Sequence, residues 1–171
     1  YVADGVGGFN EQGVDPGLYA RVLTYEAAKA KEVANKNPLN RGGPKKLIQA
    51  AQEATKLPGA STMVIAECDG TKLRGANLGD SGIRVVRGGQ IVFASDAQEH
   101  YFNCPYQLGY EPLSEDTDVA ADADEFEFTV KPGDLVIAGT DGLFDNVFDD
   151  EIASVATAAA ASVAGAGALS A

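Results

Sequence analysis

Residues 61–94 read STMVIAECDGTKLRGANLGDSGIRVVRGGQIVFA and carry the pattern from which the fold class follows. Short apolar or alternating runs, typical of β-strands, occupy 61–67, 72–78, 83–86 and 91–94. Turn sequences connect them: DG at 69–70, GDSG at 79–82 and RGGQ at 87–90. The stretch therefore predicts an antiparallel meander.

Helical patterns precede the meander. Asp15-Pro16 combines a capping carboxylate with a proline at the first helical position, and apolar residues follow at helical spacing, which predicts a helix from 16 to about 33. A second helix is predicted over 45–56, and strand patterns resume at 125–130 and 134–139. Helices followed by strands indicate an α+β fold with a largely antiparallel sheet that helices cover.

The C-terminal residues 152–171 are mostly alanine, glycine and serine. Their few large apolar side chains are too sparse for a membrane span. The pattern instead predicts an amphipathic helix that frays at Gly165 and Gly167 and presents one apolar face, made of Ile152, Val155, Ala159 and Val163.

Composition and charge narrow the function classes. The 171 residues are 45% hydrophobic, which suits a single folded domain over 1–171, and two cysteines exclude a disulfide scaffold. The formal charge is -12, and residues 88–171 hold 1 Lys or Arg against 16 Asp or Glu. Such a surface repels phosphate backbones and anionic lipid, so we expect neither nucleic acid nor membrane as a partner. An acidic surface of this kind would instead favour the binding of metal ions.

Three aspartates follow strand-like runs and each lies beside a glycine: Asp4, Asp80 and Asp141. Carboxylates that converge at strand ends repel one another unless a cation lies between them. Oxygen ligands favour hard ions such as Mg²⁺ or Mn²⁺. Asp145 lies four residues beyond Asp141, so a helical turn between them would place both carboxylates on one side.

Asp-Gly is also a common turn dipeptide, and most instances have no further role. Asp69-Gly70 joins two alternating runs and is interpreted as a plain hairpin turn. Asp4 differs because it opens a segment, residues 4–8, in which three of five residues are glycine. That segment has more backbone freedom than a hairpin needs.

Seven motifs occur in a fixed order. They are Ala3-Asp4-Gly5-Val6-Gly7-Gly8, Gly13-Val14-Asp15-Pro16, Ser61-Thr62, Ala76-Asn77-Leu78-Gly79-Asp80-Ser81-Gly82, Val86-Arg87-Gly88-Gly89, His100-Tyr101-Phe102-Asn103 and Thr140-Asp141-Gly142-Leu143-Phe144-Asp145-Asn146. Each alone is weak, but the ordered set resembles the metal-dependent protein phosphatase family (protein phosphatase 2C, PPM-type). It is most similar to the organellar branch related to the T-cell activation protein phosphatase 2C homologue. The resemblance covers residues 1–152 and leaves an alanine-rich helical tail at 153–171.

The resemblance implies a four-layer αββα sandwich with two central antiparallel sheets. It also implies a binuclear Mg²⁺/Mn²⁺ site at one edge of those sheets. Asp4 matches the bridging carboxylate, Gly5 the glycine whose carbonyl binds one ion, and Asp141 another ligand. Asp80 and Asp145 match positions that, with Asp141, hold an additional, weaker ion.

By the same resemblance, the expected reaction is hydrolysis of phosphoserine or phosphothreonine by direct attack of a metal-activated water. Two cations would lower the pKa of that water and neutralise the phosphoryl oxygens. The expected partner is a phosphoprotein substrate, and the expected state is a monomer. An intracellular location is expected, and the branch resemblance suggests the mitochondrion or chloroplast.

Departures from the family pattern matter as well. Many members place a histidine, a candidate general acid, where this chain has Val6, so the proton donor is unassigned. His100, the only histidine, is interpreted as structural.

The family's first acidic ligand and its phosphate-binding arginine would precede Tyr1, and its last Asp-Asp ligands would follow the final helix. Asp149-Asp150 is no substitute, because these residues open that helix. We therefore expect a fragment, incomplete at both ends. The alternative to an enzyme is a catalytically dead fragment or pseudophosphatase that acts as a binding module.

Overall fold

The computed structural model describes residues 1–36, 42–110, 113–114 and 116–167. Helix α1 spans Pro16–Lys36 and begins where the sequence predicts, since Asp15 Oδ1 accepts a hydrogen bond from the Gly17 N–H at 2.9 Å. Helix α2 spans Pro44–Ala54. Each helix buries one apolar face, made of Tyr19, Leu23 and Ala27 in α1 and of Leu47, Ile48 and Ala51 in α2.

Ten strands follow the two helices: β1 Ala60–Ser61, β2 Met63–Cys68, β3 Lys72–Leu78, β4 Gly82–Arg87, β5 Gln90–Ala94, β6 Glu99–Tyr101, β7 Cys104–Pro105, β8 Leu108–Gly109, β9 Asp124–Thr129 and β10 Leu135–Gly139. Six of them form two three-stranded antiparallel sheets, ordered β2-β3-β9 and β10-β4-β5, and the other four form the two-stranded pairs β1-β8 and β6-β7. The N-terminal segment lies along β2, with antiparallel bridges from Val2 to Val64 and from Gly5 to Ser61.

The predicted single meander is wrong at its centre. β2 and β3 form one hairpin and β4 and β5 another, but β3 and β4 belong to different sheets. The connection turns out of the first sheet at Gly79, whose φ of 101° favours glycine. The Gly79 carbonyl accepts hydrogen bonds from the Asn77 side chain and the Gln98 backbone N–H. These bonds stabilise the crossing of the chain from β3 in one sheet to β4 in the other, and not a hairpin.

The alternation of side chains along the strands builds two cores. Met63 and Ile65 of β2 face the helices, whereas Val64 faces the second sheet. The core between the sheets also contains Ile83 and Val85 of β4, with the rings of Phe93, Phe126 and Phe128 packed against it. Helix α4, Asp149–Gly167, packs against β5 and β4. The layers are therefore helix, sheet, sheet, helix, which confirms the αββα sandwich.

The face predicted for the last helix is wrong. Ile152 is buried together with Ala153, whereas Val155 is 61% exposed and Val163 is 73% exposed. The buried apolar residues lie in the first turns of α4, so the predicted stripe along its full length does not form. The helix continues through Gly165 and ends at Gly167. In the described ranges, no helix combines the length and the apolar character that crossing a membrane requires.

Candidate metal centre

Asp4 is held by backbone bonds to the start of the first sheet. Its carbonyl accepts the Thr62 N–H at 3.0 Å and the Ser61 hydroxyl at 2.8 Å, and its own N–H donates to Thr62 Oγ1 at 3.2 Å. The next residue must be glycine, because a Cβ on Gly5 would lie 2.1 Å from the Pro16 carbonyl oxygen. The Asp4-Gly5 pair therefore has a fixed place beside β1 and β2.

Asp141 follows the end of β10 and opens the short helix α3, Asp141–Phe144. The predicted helical turn is confirmed, because the Asp145 N–H donates to the Asp141 carbonyl at 2.8 Å. One carboxylate oxygen of Asp141 accepts the Gly142 N–H at 2.6 Å, which orients the side chain.

The side chains of Asp4 and Asp141 lie on the wall of one cavity. Burial raises the pKa of Asp4, hydrogen bonding from Thr140 opposes that shift, and the charge and hydrogen bonding of Asp141 raise the pKa further. Neighbouring carboxylates are destabilised when both are ionised. A cation between them would relieve that repulsion, and the role of these two residues as metal ligands stays a prediction.

These side chains border a cavity of about 460 Å³. Its lining comprises Asp4, Gly5, Val6, Gly7, Gly8, Thr62, Asp80, Asn103, Pro105 and Asp141, with no lysine, arginine or histidine among them. Four of the five predicted site residues therefore share one cavity. The fifth, Asp145, lines a neighbouring pocket together with Asp80.

Asp80 is the predicted site residue with a strongly raised pKa. Its pKa is raised to about 6, first by burial and then by the charge of Asp141, with smaller contributions from Glu99 and Asp145. The acidic side chains are thus close enough to influence one another. A perturbed pKa in a cavity is a feature of functional sites.

The residues present fit a hard divalent ion in part. Two carboxylates and a glycine carbonyl are oxygen donors, and Mg²⁺ is commonly held by one or two carboxylates with waters completing its shell. Across ranges 1–36, 42–110, 113–114 and 116–167, no three His, Cys, Asp or Glu side chains form a compact metal-binding group. The chain therefore offers an incomplete protein ligand set.

Asp80→Asn is expected to raise the free energy of unfolding at pH 7 in EDTA by roughly 1–2 kcal/mol. This figure is smaller than the pKa shift alone would give, because Asp80 is half-exposed and solvent screens its charge. The unfolded carboxyl loses its proton near pH 3.8, whereas the folded one keeps it to about 6. Wild-type stability should therefore fall as pH rises from about 4 to 6, and the variant should escape that fall. Urea unfolding at several pH values measures it.

Asp69→Asn is the matched control, with the opposite sign. Backbone bonds from Lys72 and Thr71 lower the pKa of Asp69 to about 2, so removing this carboxylate should destabilise the protein above pH 4. If Asp80→Asn also destabilised the EDTA-treated protein, burial and like-charge repulsion in the cavity would be the wrong explanation of the raised pKa of Asp80.

Residues outside the cavity behave as the sequence indicates. His100 stacks on Tyr106 with 4.1 Å between ring centroids, and its Nε2 lies 3.0 Å from an Asp118 carboxylate oxygen, which is a structural arrangement. Cys68 and Arg74 have the spacing of a cysteine-dependent phosphatase loop, but they lie on β2 and β3 of the Asp69-Gly70 hairpin. That chemistry needs the loop to open a helix, so this motif has no such role.

Sequence reasoning assigned no site role to three residues that the structure brings to the site. Thr62 fixes the Asp4 backbone and bonds to Ser81 Oγ at 2.8 Å. Thr140 lies near enough to Asp4 to lower its pKa, and Asn103 lines the cavity in a left-handed conformation with φ 59°. All three residues stand in the ordered motifs, but their site contacts could not be read from the sequence, because these contacts join distant parts of the chain.

Comparisons with known proteins identify the family. No family model matches the chain. The chain is 42% identical over 157 residues to probable protein phosphatase 2C 26 of Arabidopsis thaliana, a match that covers 91% of this chain and 50% of that protein. It is 41% identical over 156 residues to the human protein phosphatase PTC7 homolog, covering 86% and 51%.

A solved structure agrees with these relatives. The photosystem II phosphatase PBCP superimposes with a TM-score of 0.79 at 37% sequence identity, over 90% of this chain and 58% of that one. The chain thus spans about half the length of the two curated relatives. Its ordered motifs, its four layers and these matches agree, and the chain belongs to the protein phosphatase 2C family.

Proposed function

We propose that the protein is a metal-dependent serine/threonine phosphatase that hydrolyses phosphoserine and phosphothreonine in proteins. The observation that carries this proposal is that Asp4 and Asp141, on elements far apart in sequence, line one cavity whose described lining has no basic side chain. A phosphate dianion would be repelled there unless cations neutralised the carboxylates. Membership of a metal-dependent phosphatase family supports the same interpretation.

In this proposal Asp4, the Gly5 carbonyl and Asp141 would hold two Mg²⁺ or Mn²⁺ ions. Asp80 and Asp145, with Asp141, would hold an additional, weaker ion. Bound ions would supply Lewis acidity, which lowers the pKa of a water and neutralises phosphoryl oxygens. The Thr62 hydroxyl helps to fix the position of Asp4 by accepting its N–H.

The glycine segment next to Asp4 gives the substrate access. Gly7 and Gly8 line the cavity, and a Cβ added to either would meet no atom within 4 Å. We propose that a phosphorylated side chain enters past these two residues. Val6 lines the same cavity and has no proton to donate, so we assign no general acid to that position.

The substrates we propose are phosphoproteins, and the protein is proposed to act as a monomer. We also propose an organellar location, in a chloroplast or mitochondrion, and similarity to a photosystem II phosphatase supports the first of these.

The test is turnover of a phosphothreonine peptide with Mn²⁺, by the full-length protein and by residues 1–171 alone. We expect EDTA to abolish turnover by the full-length protein and excess Mn²⁺ to restore it. Because ligand number sets affinity for these ions, we expect the 171-residue chain alone to be weakly active at most. EDTA-resistant turnover would contradict the metal proposal. Full-length protein that binds the peptide without hydrolysing it would support the binding-module alternative.

A further inference from the structure

A hairpin beside the site exposes an aromatic ring. β6 and β7 form this hairpin, and Phe102 at its tip is 93% exposed. The next residue, Asn103, adopts a left-handed conformation with φ 59°, and its N–H donates to Glu99 Oε1 at 3.2 Å. The Phe102 ring is therefore available to contact a partner.

The hairpin lies next to the candidate metal centre. A second pocket of about 310 Å³ adjoins the first cavity, and both are lined by Asp80 and Asn103. Of these two pockets, Phe102 and Glu99 line the second and not the first. An extended polypeptide advances about 3.3–3.6 Å per residue. A substrate whose phosphorylated residue enters the first cavity therefore brings a neighbouring residue to the second.

The chemistry of the second pocket favours a cation. Arg84 in its wall already pairs with a ring and a carboxylate: its guanidinium lies 4.3 Å from the centroid of Phe144, which also lines the pocket, and its Nε donates at 2.9 Å to Asp149, which lies outside the lining. Phe102 and Glu99 are a second ring and carboxylate. In the part of the chain that the structure describes, no lysine or arginine lies over the Phe102 ring.

We infer that Phe102 and Glu99 form a docking subsite for an arginine or lysine within two residues of the phosphorylated serine or threonine of the substrate. The aliphatic stem would pack on the ring, and the charged head would face both the ring and the carboxylate. Charge complementarity supports this, since residues 88–171 contain 1 basic residue and 16 acidic ones. The inference rests on the proposed phosphatase function and names a class of substrate for it.

The test uses the full-length protein with Mn²⁺ and phosphothreonine peptides in which one arginine is moved from two residues before to two residues after the phosphothreonine. An alanine peptide is the reference. Binding of phosphonate analogues is measured by fluorescence anisotropy, and turnover of the phosphorylated peptides is measured separately. We expect the wild type to prefer at least one arginine peptide by about three- to fivefold, the scale of an exposed cation–π contact.

Phe102→Leu and Glu99→Gln should remove that preference by raising Kd and KM for the arginine peptide, while kcat stays within about twofold. Phe148→Leu, the other strongly exposed phenylalanine at 83%, lies outside the pocket and should behave as wild type. Equal affinity of the wild type for all peptides, or a preference that survives both substitutions, would overturn the subsite. A preference without any hydrolysis would leave the subsite standing and refute the phosphatase function instead.

Discussion

Asp4→Asn is expected to lower metal-dependent turnover of a phosphothreonine peptide by about 10²–10³-fold, the scale of losing one key electrostatic group at an active site. An amide cannot supply the negative charge that, in our proposal, helps to hold two cations. The variant should fold, because the backbone bonds that fix residue 4 come from Thr62 and Ser61 and do not involve the carboxylate.

Binding and folding readouts separate this effect from general damage. Mn²⁺ should raise the unfolding temperature of the wild type and have little effect on Asp4→Asn, since a ligand stabilises only the state that binds it. Asp150→Asn, on the exposed first turn of α4, is the matched control and should keep both the turnover and the Mn²⁺ shift. Equal turnover by wild type and Asp4→Asn would exclude Asp4 as a metal ligand.

The hairpins could be predicted from sequence because their determinants are local. Gly70 has φ 95°, and Gly88 and Gly89 have φ 58° and 80°. Tight hairpin turns need such positive φ values, which glycine adopts readily. The sheet to which β4 belongs could not be predicted in the same way. The connection from β3 to β4 is as short and glycine-rich as a hairpin turn, and its path depends on contacts with Gln98 and Tyr106.

In the candidate site, too, features set by local sequence could be predicted and features set by contacts between distant parts of the chain could not. Asp4 and Asp141 could be named because each lies where a strand-like run gives way to a glycine, which is visible in the sequence. Asn103 could not, because its place in the cavity depends on the hairpin of β6 and β7, in a segment without periodicity. The exposure of Val155 was equally hidden, since the helical pattern does not show where α4 leaves the sheet.

The crossing between the sheets is where a single methyl group should do most damage to the fold. We expect Gly79→Ala to lower the free energy of unfolding by about 3 kcal/mol or more, combining backbone strain with crowding. The strain arises because φ at this position is 101°. Crowding arises because a Cβ would lie 2.6 Å from the Tyr106 carbonyl oxygen and 2.7 Å from Thr62 Cγ2, neither of which can move freely.

Gly133→Ala isolates the strain from the crowding. Gly133 has φ 91°, yet an added Cβ there meets nothing within 4 Å, so this control should lose only about 1 kcal/mol. Urea unfolding of both variants gives the difference. At urea concentrations where the Gly79→Ala variant is still folded, we expect its turnover to be lower than that of the wild type. Gly79 directly precedes Asp80, and a Cβ at position 79 would push on Thr62, which fixes Asp4. Equal losses of stability in the two variants would mean that the crossing tolerates a side chain and that the placement of Asp80 does not depend on glycine.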